Sequence, residues 1–171
     1  MRSRKPIVII AVLAIFVLIQ FFRPEKNNSP DTEFALSNKY ELTASVNEIM
    51  TGACYDCHSN RTVYPWYAEI QPIGWWLNSH VEGGKYHLNF SDFTRASIAR
   101  QNHKFEEIIE TVEEGEMPLP SYTWLGMHPK ADLSEQQRTE IINWARWQMA
   151  DLKKQYPADS LVMKRRPAAQ Q

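Results

Sequence analysis

Residues 54–58 read Cys-Tyr-Asp-Cys-His and hold both cysteines of a 171-residue chain. On a helix, residues i and i+3 share a face about one turn apart. Cys54 and Cys57 could therefore reach the two vinyl groups along one porphyrin edge and form thioethers, with the His58 imidazole beneath the iron. This C-x-x-C-H order is the c-type haem attachment pattern. Three other uses compete. A structural zinc site calls for four Cys/His ligands, usually from two paired clusters, and no second C-x-x-C exists here, nor a tight histidine pair among His80, His87, His103 and His128. A redox dithiol of the thioredoxin type calls for a βαβ setting. A Cys54–Cys57 disulfide closes a tiny loop and stabilises little. Covalent haem c is the expected cofactor, with His58 as the proximal iron ligand.

The second axial position decides what the iron can do. Met117, in Gly-Glu-Met-Pro-Leu-Pro, is the leading candidate, because it follows a helix stop and lies between the motif and the terminal helix. His80, on the apolar stripe of its helix, is the next, followed by Met127 and His128. Arg61, Lys85 and Arg95 are propionate partners by type alone. Tyr64, Trp66, Trp75, Trp76, Tyr122 and Trp124 are candidates for the haem wall. A thioether ligand suits an electron carrier. An open or displaceable position would instead suit a peroxidase or gas sensor, with His80 or His128 as acid–base help.

The 19 Lys and Arg nearly cancel 20 Asp and Glu, so no global field points to nucleic acid. Arg2, Arg4 and Lys5 precede an apolar run from Ile7 to Phe22 broken by Gln20. That pattern, with no small-residue cleavage site after it, predicts an uncleaved signal anchor. Its basic flank would stay cytoplasmic, and everything after Pro24 would lie outside a bacterial inner membrane, in the periplasm. Residues 1–23 are thus expected to form a transmembrane helix, 24–37 a linker, 38–155 a haem domain and 156–171 a mobile tail. Lys164-Arg165-Arg166 in that tail is a candidate contact for anionic lipid.

The elements that must position the motif read as helices, and the expected fold is all-α, a small cytochrome c-like domain. Ser45 and Glu48 suggest a capping box opening a helix that runs into Cys54. Pro72 suits a first helical position. Ile73, Trp76, Leu77, His80 and Val81 then follow helical spacing, with Gly83-Gly84 as the stop. Phe105, Ile108, Ile109 and Val112 form a third stripe ended by Gly115, and Glu106 to Glu116 form its solvated face. After an irregular stretch rich in proline, Ser134 and Gln137 cap a last helix carrying Ile141, Ile142, Ala145, Met149 and Leu152 inward.

The sequence resembles the small bacterial haem-binding domain family, whose members carry a membrane-anchor segment and one C-x-x-C-H. The likeness rests on CYDCHSNRTVYPWYAEIQPIGWWLNSHVEGG, then LNFS, then GEMPLPSYTWLGMHPKADLSEQQ, and spans about residues 40 to 150. It implies covalent haem at Cys54, Cys57 and His58 and leaves the distal ligand open. The resulting expectation is a membrane-anchored monohaem cytochrome that carries single electrons between redox proteins rather than catalysing a reaction.

Overall fold

The structure is a computed structural model that describes residues 5–30 and 32–163. Among these, the chain forms seven α-helices joined by short 3-10 turns and no strand: α1 Lys5–Ile19, α2 Ala44–Ala53, α3 Tyr55–His58, α4 Ile73–His87, α5 Ile98–Glu113, α6 Pro120–Thr123 and α7 Glu135–Gln155. The all-α expectation holds.

Local chemistry sets the helix ends. Ser134 Oγ accepts from the Gln137 amide while the Gln137 side chain returns to Ser134, the capping box anticipated for α7. Ser97 caps α5 in the simpler way, and Gly115 ends it with φ 74°, a conformation that side chains resist. For α2 the cap is Thr43, two residues before Ser45, whose hydroxyl accepts from Val46 N, so the helix starts at Ala44. A single hydroxyl there satisfies an otherwise orphaned amide, an effect worth about 1 kcal/mol.

The core lies between α5 and α7, closed by α2. Phe105 is fully buried, with Ile108 and Val112 on its face, against Ile141, Ile142, Ala145 and Leu152 of α7. Each such side chain contributes about 1.5–3 kcal/mol by leaving water. Gln101 is buried among them with its polar atoms matched: Tyr40 Oη donates to its Oε1 (2.6 Å), and its amide donates to the carbonyls of Thr94 and Ala96.

Several expectations are corrected. The α4 helix does not stop at Gly83-Gly84 but continues to His87. Of its anticipated apolar stripe, Leu77 and Val81 are buried while Ile73 and Trp76 are exposed.

The N-terminal helix ends at Ile19 after 15 residues, which spans about 22 Å against a hydrocarbon core of about 30 Å. No helix among the described residues is long and apolar enough to cross a membrane, so the transmembrane anchor and the inner-membrane, periplasmic placement built on it are overturned. The physical reason is at Gln20. Its side chain donates to the carbonyls of Phe16 and Gln71 and accepts from Gln71 N, and Trp75 Nε1 donates to the Phe22 carbonyl. The end of the apolar run is tied to the helical domain instead of prolonging the helix. Arg2 and Arg4 lie outside the described residues, as does Lys164-Arg165-Arg166.

Residues 24–37 are not a bare spacer. Buried Asn27 donates to the Ser59 carbonyl and Thr62 Oγ1, and Leu36 is in the core. The described part of the C-terminal tail also packs, through Leu161, whose carbonyl accepts from Asn102.

Candidate cofactor site

The first of the two cysteines sits at a break. Cys54 ends α2 with φ −120° and ψ −46°, and α3 restarts at once. The amides of Cys57 and His58 both donate to the Cys54 carbonyl (3.2 and 2.9 Å), so residues 54–58 form one tight turn. Asp56, inside that turn, fastens it from outside: its Oδ1 accepts from Val63 N (2.8 Å) and its Oδ2 from Tyr122 Oη (3.0 Å).

The α4 helix backs the turn. A Cβ on Gly84 would lie 2.5 Å from the Cys57 carbonyl oxygen, so only glycine permits this approach. The contact brings the carbonyls of Gly84 and of Leu88, the residue that caps α4, to the imidazole of His58. Its Nδ1–H donates to Leu88 O (2.9 Å) and Gly84 O (3.0 Å). This fixes the proton on Nδ1 and leaves Nε2 with a bare lone pair, the arrangement by which a backbone carbonyl orients a metal-binding histidine. Burial lowers the His58 pKa below its usual 6.5, against the opposing pull of the two carbonyls. The ring is thereby held toward its neutral form.

Cys54, Cys57 and His58 open onto a cavity of about 520 Å³ with mostly apolar walls. Its depth is closed by Met50, Phe90, Leu133 and Trp144, from regions far apart in sequence. Burial pushes the Cys54 thiol up to about 12 and the Cys57 thiol up to about 11. A redox dithiol needs a depressed value instead. Among the described residues no group of three or more His, Cys, Asp or Glu side chains gathers to hold a metal ion, so the zinc alternative gains no support.

Of the distal candidates, Met117 and His80 both line the cavity, and Met127 and His128 are not among its lining residues. Met117 is half-buried against the core, its amide donating to Thr111 O and its carbonyl accepting from Arg138 Nη1. His80 is half-buried, not fully inward. Its Nδ1–H donates to Trp76 O (2.8 Å), which leaves its Nε2 bare as well. His128 is engaged elsewhere, its Nε2 hydrogen-bonded to Tyr67 Oη and its ring stacked on Tyr122.

Arg61, Lys85 and Arg95 do not line this cavity. Lys85 binds Asn27 Oδ1, and Arg95 pairs with Asp92 while lying over the Phe34 ring. The basic side chains on its wall are Lys104 and His87, which sequence reasoning missed because helix position, not residue type, puts them there. Of the aromatic candidates, only Tyr122 lines the cavity. Tyr64, Trp66, Trp75, Trp76 and Trp124 do not.

The sequence matches the haem-binding domain family over residues 14–147. The chain belongs to that family. The match contains every residue of the cavity, and the haem-binding domain of this protein is the helical unit just described. No curated protein and no solved structure matches the chain. The residues fit the group: a mostly apolar cavity is lined by two thiols and by a neutral imidazole whose free nitrogen is set by its backbone bonds. When bound, haem supplies one-electron chemistry at its iron.

Proposed function

We propose that Cys54 and Cys57 hold haem through thioether bonds, that His58 Nε2 is its proximal ligand, and that the protein carries single electrons. The observation that carries this reading is the paired hydrogen bonding of His58 Nδ1 to Gly84 and Leu88, on the same cavity that both cysteines face. The thiols would be consumed in the bonds and so have no further redox role. The apolar walls would exclude water and limit reorganisation around the iron.

Met117 is the distal ligand in this reading. It belongs to the segment after α5, a different wall from α4, whose carbonyls back His58. Lys104 and His87 would meet the propionates, offsetting carboxylate charge at the cavity edge. A second reading takes His80 as the distal ligand, favoured by its Nδ1 bond to Trp76, which prepares Nε2 as it does in His58.

Absorption and magnetic circular dichroism of the oxidised protein discriminate between them. Met117→Ala loses the long-wavelength sulfur-to-iron band and becomes high-spin, whereas His80→Ala keeps both the band and the low-spin state. An unchanged Met117→Ala spectrum contradicts the assignment. Rapid peroxide or CO binding by the unaltered protein would replace the carrier with a peroxidase or gas sensor.

A further inference from the structure

Next to the cavity lies a file of aromatic rings that the cofactor site does not explain. Tyr122 is on the cavity wall beside Cys57. His128 stacks on it with centroids 3.8 Å apart and planes 17° from parallel. Tyr67 meets His128 edge-on at 6.0 Å, and Trp66 meets Tyr67 at 5.7 Å. Trp66 is 77% exposed. Four rings in series thus lead from the cavity wall to water, contributed by two segments about 60 residues apart in sequence.

We propose that Tyr122, His128, Tyr67 and Trp66 form a one-electron route that carries oxidising equivalents between the haem cavity and the protein surface. It rests on the haem reading above. Electron transfer slows steeply with edge-to-edge distance, so rings in contact outrun one long step. A phenol gives up an electron readily only if its proton has somewhere to go. Both phenols here have a proton acceptor in reach: Tyr122 Oη donates to Asp56 Oδ2, and Tyr67 Oη is hydrogen-bonded to His128 Nε2, which accepts the phenolic proton in the Nδ1–H tautomer. Proton transfer by a positioned acceptor needs this reach. A packing cluster alone would not require it.

The electron count closes. A one-electron oxidant in solution takes an electron from the Trp66 indole. Tyr67 refills Trp66 and passes its phenolic proton to His128. With haem bound, the electron that restores Tyr67 would come from the cofactor by way of Tyr122 and His128, and His128 returns the proton. The net change would be one electron given up by the bound haem and one gained by the oxidant.

The test uses matured, reduced protein whose haem content is first measured as its pyridine haemochrome. Ruthenium(III) tris-bipyridine generated by a laser flash serves as the oxidant. A transient tyrosyl absorption followed by a fast phase of ferrous haem oxidation is expected. Both features are lost in Tyr67→Phe and the fast phase is lost in Trp66→Leu, while the haem spectrum stays as in the parent. The fast phase survives in Trp147→Leu, a control at another exposed indole. A fast phase retained in Tyr67→Phe and Trp66→Leu, or absent from the parent, overturns the route and leaves the haem reading standing. A negative haemochrome removes both.

Discussion

Gly84→Ala lowers the melting temperature of the haem-free protein, and Gly83→Ala, one residue earlier, raises it. Both residues lie inside α4, where alanine in place of glycine gains about 1 kcal/mol. At Gly83 a new Cβ meets nothing within 4 Å, so the gain is realised, about 2–4 °C for a chain of this size. At Gly84 the Cβ falls 2.5 Å from the Cys57 carbonyl oxygen and 3.1 Å from the carbonyl carbon. The obstacle is backbone and cannot swing aside, which puts the cost near the upper end for overpacking, about 3 kcal/mol. The net loss of about 2 kcal/mol corresponds to about 4–8 °C. Thermal unfolding followed by circular dichroism checks both signs. If both variants melt higher, α4 does not press on the turn, and the bracing of His58 fails with it. In matured protein Gly84→Ala is also expected to reduce haem incorporation, because the displaced carbonyl belongs to Cys57, one of the two cysteines proposed to bond the porphyrin.

His58→Ala abolishes the low-spin spectrum while the haem stays attached through Cys54 and Cys57, and added imidazole restores it. The restoration follows from the cavity: the deleted ring leaves its own volume beside the carbonyls of Gly84 and Leu88, which can hold the N–H of a free imidazole as they hold that of His58. Failure of imidazole to rescue, with haem present, would mean that His58 does not ligate iron. The same residue gives the haem-free protein a pH signature. Burial depresses the His58 pKa below 6.5, so between the two values the unfolded chain binds the proton and the folded one does not. Stability is therefore full above pH 6.5 and declines as pH falls through the depressed value. Urea unfolding over that range shows the decline, and His58→Ala flattens it.

What could be read from the sequence was what is local. The stripe Phe105-Ile108-Val112 and the Ser134 capping box each state their meaning within a few residues, and the five-residue motif is legible in the same way as a haem-attachment pattern. Gly83-Gly84 was misread because a glycine pair fits a helix stop and a tight helix contact equally well, and the deciding partner, Cys57, lies on another element. The N-terminal run was misread because its length counts residues to Phe22, whereas the helix ends where Gln20 finds Gln71, 51 positions away. The cations chosen by charge alone, Arg61, Lys85 and Arg95, do not line the cavity, whereas Lys104 and His87 do. The cavity walls at Met50 and Trp144 and the Tyr67–His128 contact are products of packing between distant segments, which local periodicity does not encode.

The central claim is that a porphyrin is bonded to this protein through both cysteine sulfurs. Intact-mass spectrometry of protein produced with cytochrome c maturation, under denaturing conditions that strip non-covalent ligands, tests it directly. One species heavier than the polypeptide by a single haem is expected, with neither thiol open to alkylation. A spectrum at the bare polypeptide mass, with Cys54 and Cys57 alkylated or joined to each other, would contradict it.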